Sequence, residues 1–329
     1  MKSEIKKFGE LIKSSKKILL INHIRMDMDA LGSLSAIYDI LTQLGKDVKA
    51  VNDEVPPNNY NIIGYNEIIE PYLDIVSFKP DLIISLDAAS EGQLGATYEN
   101  NKEIFKNTPF VIIDHHKTNE GFGSVNIISK DFSSSCELVF YILKKLNLVK
   151  YITPKIATAL LSGIYTDTNI YYNSNTSGYT LRTAADLIDL GADFRKPYFE
   201  FYKKKTITKS RLWGTILSKR LKISDNKKVA WAIVPFSIFE ETGGNDRDLT
   251  GLISEFFANL DGVEICFLVY ELNYGGVKAS LRCTEKYDMS SVAEKLGGGG
   301  HKQAAGFTSD KTLEEVEKMI LKALKKELE

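Results

Sequence analysis

The chain has 329 residues, of which 43% are hydrophobic and 26% charged, and its formal net charge at pH 7 is -1. This length is about twice that of a common domain, so it predicts two globular domains with sizeable cores. No segment approaches the roughly 20 apolar residues that cross a bilayer, and a charge near zero excludes tracking of long duplex nucleic acid by a broad basic face.

The N-terminus and the cysteines indicate the compartment. The first residues follow an amphipathic helix pattern and lack the apolar core and cleavage site of a signal peptide, which favours the cytoplasm without membrane association. The basic run 203–205 is typical of a solvated helix face. The cysteines lack C-x-x-C spacing and indicate core thiols, with neither a disulfide framework nor a zinc site. They are Cys136, Cys266 and Cys283.

In the first half of the chain, short β-branched runs alternate with helical periodicity. This alternation predicts an α/β fold with a mostly parallel sheet flanked by helices, in which ligand-bearing residues gather at the carboxyl ends of the strands. The predicted strands are Lys17–Asn22, Asp47–Val51, Asp81–Leu86 and Pro109–Ile113. The predicted helices that follow them are Ser135–Leu148, Pro154–Thr166 and Gly178–Leu190.

The sequence pattern changes after Gly191. Glycine readily adopts the left-handed conformation that ends a helix, so Gly191 marks the end of the last predicted helix of the first domain. We therefore predict a first domain at 1–191, a connecting helix at 192–207 and a smaller α/β domain at 208–329. The second domain is predicted to end in a helix from Lys311. Its predicted strands are Lys228–Val234, Val263–Glu271 and Gly276–Cys283.

Directly after the first predicted strand, a loop carries His23, Asp27 and Asp29 and leads into a helix. An imidazole with carboxylates is a ligand set for Mn, Fe, Zn or Mg, and oxygen-rich sets favour Mn. The alternative is that Asp27 or Asp29 merely caps the following helix, which is the commoner role of an isolated D-x-D. This loop alone does not decide between the two interpretations.

Two further predicted strands deliver similar side chains. The third ends at Asp87 and the fourth at the triplet Asp114-His115-His116, while Asp167 follows a later apolar helix. Structural needs rarely place so many such groups at strand ends, so the pattern indicates a shared site at one sheet edge. All four histidines of the chain lie in these segments or at the end of a glycine run, which favours a catalytic assembly over core histidines.

The order and spacing of these residues resemble the DHH-family phosphoesterases that carry a glycine-rich DHH-associated C-terminal domain. The pattern covers nearly the whole chain, from H-x-x-x-D-x-D at His23 to the glycine-rich segment 297–306. The resemblance implies a metal-dependent phosphodiesterase or exonuclease. Its implied substrates are short oligoribonucleotides or linear and cyclic dinucleotides, which it would convert to mononucleotides. A further implied substrate is 3′-phosphoadenosine-5′-phosphate.

The resemblance also implies two divalent metal ions, with Mn²⁺ first and Mg²⁺ or Co²⁺ as alternatives. One metal would be held by His23 and Asp27, the other by Asp29, His115 and Asp167, with Asp87 bridging both. His116 is implied to contact the scissile phosphate, and Asp114 to orient the neighbouring histidines.

The implied substrate-binding residues lie in the second domain. Glycine lets the backbone approach an anion, so Gly298, Gly299 and Gly300 with His301 are implied to close over the substrate. Arg282 offers a fork of donors for phosphate, although a surface salt bridge is the alternative.

Two other segments have less specific signals. Tyr171 and Tyr172 could stack a base, but ordinary packing explains them equally well. The serines 133–135 are expected to cap the helix that they precede, although the N-terminus of this helix could also face phosphate.

Three positions depart from the family pattern. Met26 and Met28 replace the proline and the glycine of the first loop, and methionine does not share glycine's freedom to adopt a positive φ. We therefore expect altered loop geometry and weaker metal affinity. Asn169 replaces a glycine after Thr-Asp-Thr, a mild change because asparagine tolerates the left-handed region.

The leading prediction is an enzyme whose partners are short RNA or dinucleotide substrates. The alternatives are a cyclic di-AMP-specific phosphodiesterase, an inorganic pyrophosphatase or polyphosphatase, and a catalytically impaired nucleotide-binding regulatory module. The glycine-histidine segment favours the nucleotide-acting enzymes, and the retention of all six candidate ligands argues against the impaired module. The oligomeric state is open, and a homodimer is compatible with the sequence.

Overall fold

The computed structural model describes residues 1–71, 73–273 and 275–328. For Lys326 and Leu328, within the last range, it describes the backbone alone. The chain forms two compact units, Met1–Lys204 and Lys205–Glu329. Each unit is built on its own β-sheet with helices, which confirms the predicted α/β fold. Among the described helices, none has the length and apolar character needed to span a bilayer.

The first unit alternates strands and helices. Its strands are β1 (Lys17–Asn22), β2 (Asp47–Val51), β3 (Leu82–Leu86), β4 (Phe110–Asp114) and β5 (Val125–Ile128). Its helices are α1 (Lys2–Ser14), α2 (Met28–Gln43), α3 (Ile75–Phe78), α4 (Gly95–Glu99), α5 (Lys102–Asn107), α6 (Ser135–Lys145), α7 (Pro154–Asp167), α8 (Gly178–Asp189) and α9 (Arg195–Tyr198). A π-helical turn follows at Phe199–Lys203.

The sheet of the first unit has the strand order β2-β1-β3-β4-β5, and every pairing is parallel. Every residue of β3 and β4 is buried, as expected for strands covered on both faces. Because β1, β3 and β4 are neighbours that run in the same direction, their carboxyl ends lie side by side at one edge. The residues that follow these three strands therefore meet there.

Helix α2 packs closely along α7, and glycines make this approach possible. A Cβ atom at Gly32 would collide with the carbonyl oxygen of Ala159, and one at Gly163 would collide with Cys136 Sγ and with Asp29. The close packing brings the start of α2, which carries Asp29, next to α7, which ends at Asp167.

The second unit has a mixed sheet with the strand order β10-β11-β9-β8-β7-β6. The pairing of β7 with β8 is parallel, and the other pairings are antiparallel. The strands are β6 (Lys222–Ile223), β7 (Val229–Val234), β8 (Ile265–Glu271), β9 (Val277–Cys283), β10 (Gly299–His301) and β11 (Ala304–Ser309). The helices are α10 (Ile207–Lys219), α11 (Phe236–Thr242), α12 (Leu252–Glu255), α13 (Met289–Lys295) and α14 (Leu313–Leu328).

The segment between the two predicted domains is not one continuous helix. Helix α9 and the π-helical turn end at Lys203, and α10 begins at Ile207 after three residues without regular structure. The boundary between the compact units, Lys204/Lys205, lies inside the segment 192–207. The division into 1–191, 192–207 and 208–329 stays a prediction.

Candidate metal centre

The loop after β1 brings His23 and Asp27 to the carboxyl edge of the sheet. His23 Nε2 lies 3.7 Å from Asp27 Oδ1 and 3.6 Å from Asp87 Oδ2. His23 Nδ1 lies 2.7 Å from the carbonyl oxygen of Ile24, so Nδ1 carries a proton and donates it to this oxygen, while Nε2 faces the two carboxylates. These three side chains form a group that could hold one metal ion.

A second group forms around His115. Its Nε2 atom lies 3.8 Å from Asp29 Oδ2, 3.2 Å from Asp167 Oδ2 and 3.6 Å from Asp87 Oδ1. Asp29, His115 and Asp167 could hold another metal ion. Asp87 thus points one carboxylate oxygen at each group, and the structure brings all six predicted ligands together.

Asp87 has an unusual backbone conformation, with φ of 58° in the left-handed region. This region costs most residues about 1–2 kcal/mol, although Asp and Asn visit it more readily. The Asp87 backbone N–H donates to the carbonyl oxygen of Ile113 at 3.0 Å, and the residue is buried. The fold therefore holds the carboxylate that faces both groups in a strained but fixed position, as is common at functional sites.

Asp114 lies behind His116 and has two partners. Its Oδ1 lies 2.7 Å from His116 Nδ1, and this hydrogen bond raises the pKa of His116 to about 9. Its Oδ2 accepts a hydrogen bond from Asn119 Nδ2 at 2.7 Å. Asn119 also donates to the carbonyl oxygen of Ala88 at 3.0 Å, next to Asp87.

Asn119 was missed in the sequence analysis, although it lies only three residues after the triplet. Because its amide ties Asp114 to the turn after β3, we expect Asn119→Ala to lower kcat by about 10- to 100-fold, as is typical when an outer partner of a metal site is removed. Steady-state kinetics with a dinucleotide substrate measures this. Asn126→Ala is the control, because its amide bonds only the turn at Gly123 and should leave kcat unchanged. A wild-type kcat in Asn119→Ala would contradict the role of Asn119 in holding Asp114.

The two groups concentrate negative charge in a buried place. Burial, and then the charges of Asp87 and Asp27, raise the pKa of Asp29 well above its usual range. Burial, and then Asp29 and Asp87, raise the pKa of Asp167 to about 10. Burial would lower the pKa of His23, but hydrogen bonds with Asp27 and Asp87 raise it to about 11.

Crowded carboxylates of this kind are unfavourable unless a cation accompanies them. The six side chains offer two imidazole nitrogens and four carboxylates, a donor set that fits divalent ions such as Mn²⁺. The geometry and the charge of the site therefore both fit divalent metal ions.

The first loop does not have the defect expected from Met28. Met28 is the first residue of α2 and is fully buried, and the positive φ in this loop belongs to Arg25, at 57°. The expected change in loop geometry at Met28 was therefore wrong, because the position does not use the freedom of glycine. Asp27 also caps α2, accepting from the Ala30 N–H at 3.0 Å, so capping and proximity to His23 coexist. Asn169 adopts φ of 46°, as its replacement of glycine suggested.

Two of the predicted substrate residues of the second unit, Arg282 and His301, share one face of its sheet. Arg282 and His301 both pair with Ala304, so they lie in one row across β9, β11 and β10, and directly paired residues point to the same face. His301 is exposed, and Arg282 Nη1 donates to the carbonyl oxygen of Leu281 at 2.8 Å.

The glycine run is partly explained by packing. Gly298 and Gly300 have no room for a Cβ against β11 and its neighbours, so the hairpin itself requires glycine there. The N–H of Gly298 donates to the carbonyl oxygen of Ala293 at 2.8 Å and is therefore not free for a phosphate. Gly299 is exposed and has open space around its Cα.

The two tyrosines proposed to stack a base have different environments, and a third aromatic residue was not singled out by the sequence. Tyr172 is 83% exposed, and Tyr171 packs edge-on against Tyr165 with ring centroids 5.4 Å apart. Tyr60, missed in the sequence analysis, packs edge-on against Phe201 at 5.9 Å. Burial and then the charge of Asp27 raise the pKa of Tyr60.

A parallel sheet whose carboxyl edge gathers these imidazoles and carboxylates fits a metal-dependent hydrolase. Residues 17–164 match the model of the DHH family, N-terminal domain, and residues 226–329 match that of the DHHA1 domain. The chain belongs to the DHH family, which confirms the resemblance seen in the sequence.

Two curated proteins and one solved structure are among those to which the chain is similar. It is 31% identical to NrnA of Thermus thermophilus, a bifunctional oligoribonuclease and PAP phosphatase, over 94% of this chain and 90% of that protein. It is 25% identical to the cyclic-di-AMP phosphodiesterase GdpP of Geobacillus thermodenitrificans, over 96% of this chain but 48% of that protein. An exopolyphosphatase-related protein from Bacteroides fragilis has the same fold, with a TM-score of 0.84 at 23% identity over 99% of this chain and 96% of that one.

Proposed function

We propose that this chain hydrolyses short oligoribonucleotides and linear or cyclic dinucleotides to mononucleotides, and also hydrolyses 3′-phosphoadenosine-5′-phosphate. The observation that carries the proposal is the carboxylate of Asp87, which faces two imidazole-carboxylate groups at one sheet edge. The similarity to an oligoribonuclease and PAP phosphatase along 90% of that protein's length supports the choice of substrates.

In the proposed site, six side chains hold two divalent ions. Such ions would supply Lewis acidity, which makes water a better nucleophile and offsets charge on the phosphoryl oxygens. Mn²⁺ is the first candidate, with Mg²⁺ and Co²⁺ as alternatives. The proposed ligands are His23 and Asp27 for one ion, Asp29, His115 and Asp167 for the other, and Asp87 for both.

We assign to His116 the contact with the scissile phosphate. Asp114 engages Nδ1 of this ring at 2.7 Å, which fixes the ring and leaves Nε2 for a phosphoryl oxygen. The ring is partly exposed and lies next to His115, with centroids 4.6 Å apart. Asp114 thus acts through His116 and does not itself touch the substrate.

In the second unit, we assign substrate binding to Arg282 and His301 together with Gly299 and Gly300. The shared row of Arg282 and His301 supports this assignment, because a guanidinium and an imidazole on one face can contact one phosphate. Gly298 is the weaker candidate, since its N–H is already bonded within the unit.

One substrate panel tests the proposal. The purified protein with Mn²⁺ is offered linear di- and trinucleotides, cyclic di-AMP, 3′-phosphoadenosine-5′-phosphate and pyrophosphate, and the products are separated by chromatography. We expect mononucleotides from the first two substrates. Hydrolysis of pyrophosphate alone would overturn the proposal in favour of a pyrophosphatase, and nucleotide binding without turnover would favour a regulatory module.

We propose that Tyr60 contributes to nucleotide binding, because its hydroxyl responds to the charge of Asp27 and its ring packs edge-on against Phe201. Base stacking on an aromatic ring contributes about 1–3 kcal/mol, so we expect Tyr60→Leu to raise KM for a dinucleotide by roughly 5- to 140-fold. Tyr60→Phe keeps the ring and is the control, with KM near that of the wild type. Steady-state kinetics measures both variants, and an unchanged KM in Tyr60→Leu would remove this residue from the substrate site.

A further inference from the structure

The three consecutive serines at the start of α6 are all buried but have different surroundings. Ser134 Oγ accepts a hydrogen bond from the Glu137 N–H at 3.1 Å and caps the helix. Ser135 Oγ donates to Asp87 Oδ1 at 3.0 Å. Ser133 Oγ has no hydrogen-bond partner in the described part of the chain. The caps predicted from the sequence thus apply to Ser134 but not to the other two hydroxyl groups.

The backbone of the same turn holds a second carboxylate. Ser135 N–H donates to Asp29 Oδ2 at 2.6 Å, and Cys136 N–H donates to Asp29 Oδ1 at 2.8 Å. Two N–H groups at a helix N-terminus favour negative charge there. These bonds use backbone atoms, so they persist when the side chain of Ser135 is changed.

Asp87 depends on a precise side-chain orientation. Its Oδ1 faces His115 Nε2 at 3.6 Å, and its Oδ2 faces His23 Nε2 at 3.6 Å, so one rotation of the carboxylate would disturb both groups. Within the described residues, the Ser135 hydroxyl is the neutral side-chain donor that bonds this carboxylate. The bond links α6 to the end of β3, and both side chains are buried.

We infer that Ser135 is a positioning residue that fixes the Asp87 carboxylate between the two metal groups. The inference rests on the proposed function for the role of Asp87. Ser135 itself touches neither metal nor substrate and acts through Asp87. Outer partners of metal ligands typically change metal affinity or activity by about 10- to 100-fold when they are removed.

The test compares Ser135→Ala with Ser134→Ala in the full chain. For Ser135→Ala we expect the dissociation constant for Mn²⁺, measured by calorimetry on metal-free protein, to rise about 10- to 100-fold. We expect kcat for a dinucleotide to fall while KM stays within about twofold, because the substrate contacts are unchanged.

Ser134→Ala is the matched control, because it removes the neighbouring hydroxyl and leaves the bond to Asp87. Loss of such a cap destabilises the helix, so this variant should unfold at a lower temperature but keep wild-type Mn²⁺ affinity and kcat. A merely structural role for Ser135 would make the two variants alike.

The outcomes separate this inference from the proposed function. The inference alone would be overturned if the wild type binds Mn²⁺ and hydrolyses dinucleotides and the Ser135→Ala variant has the same Mn²⁺ affinity and kcat. Equal losses of Mn²⁺ affinity in both serine variants would also overturn it. Wild-type protein that neither binds Mn²⁺ nor hydrolyses any nucleotide would overturn the proposed function and the inference with it.

Discussion

Asp87→Asn should lower kcat by about 100- to 1,000-fold, the range found when one preorganised electrostatic group is removed from an active site. Asp87 is the carboxylate that faces both imidazole-carboxylate groups, so its loss would disturb both proposed metal sites at once. Without metal, this variant should be at least as stable as the wild type. The amide removes one negative charge from a buried, crowded set of carboxylates.

The choice of asparagine follows from the backbone. Asp87 has φ of 58°, a conformation that asparagine tolerates and alanine does not. Asp87→Ala should lose turnover as well, but it adds about 1–2 kcal/mol of backbone strain. Its kinetics would then not separate the loss of the carboxylate from the effect of this strain.

A carboxylate at the opposite end of the same strand provides the control. Asp81 lies just before β3 and accepts hydrogen bonds from the N–H groups of Lys16 and Lys17, at the edge away from the metal groups. Asp81→Asn should therefore keep kcat and lose only some stability. Steady-state kinetics and thermal unfolding of both variants are the measurements. Turnover of Asp87→Asn within tenfold of the wild type would rule out Asp87 as the shared ligand.

The first sheet was largely predictable because it is buried on both faces. A parallel strand in that environment needs an uninterrupted apolar run, and polar residues mark its end. β1 and β2 have the predicted bounds, β3 begins one residue later than predicted, and β4 is shifted by one residue at both ends. The same logic predicts Asp87 and the triplet Asp114-His115-His116 at one edge of the sheet, where the structure has them.

The missing pieces have weaker local signals. β5 has four residues, and β10 is made of two glycines and His301, a composition that does not suggest a strand. β10 exists because β11 pairs with it, and β11 pairs with β9, so the tertiary structure determines the strand.

The supporting contacts of the site could not be read from spacing either. The hydroxyl of Ser135 bonds a carboxylate 48 residues away, and its N–H bonds one 106 residues away. Such contacts depend on how α6 packs against the sheet and α2, which no periodicity of the sequence encodes. Three of the proposed ligands, His23, Asp87 and His115, directly follow strands, whereas the hydrogen-bond partners behind the site depend on packing.

Removal of divalent metal should abolish turnover and destabilise the first unit. A ligand that binds only the folded state at 100 times its dissociation constant adds about 2.7 kcal/mol to the free energy of unfolding. For a unit of this size, about 2–4 °C of melting temperature correspond to each kcal/mol, so saturating Mn²⁺ should raise Tm by roughly 5 to 10 °C over chelated protein. Scanning calorimetry with Mn²⁺, Mg²⁺, Co²⁺ and chelator measures the shift.

The physical reason is that the folded chain brings the buried Asp29 and Asp87 together with the partly buried Asp167, while the unfolded chain separates them. Without a cation, this crowding opposes folding, and with one it becomes an attraction. Asp87→Asn should therefore abolish most of the Mn²⁺-dependent rise in Tm, whereas Asp81→Asn should keep all of it. An unchanged wild-type Tm with each of the three ions would mean that the six side chains do not form a metal site, and that hydrogen bonds and protonation alone keep these carboxylates together.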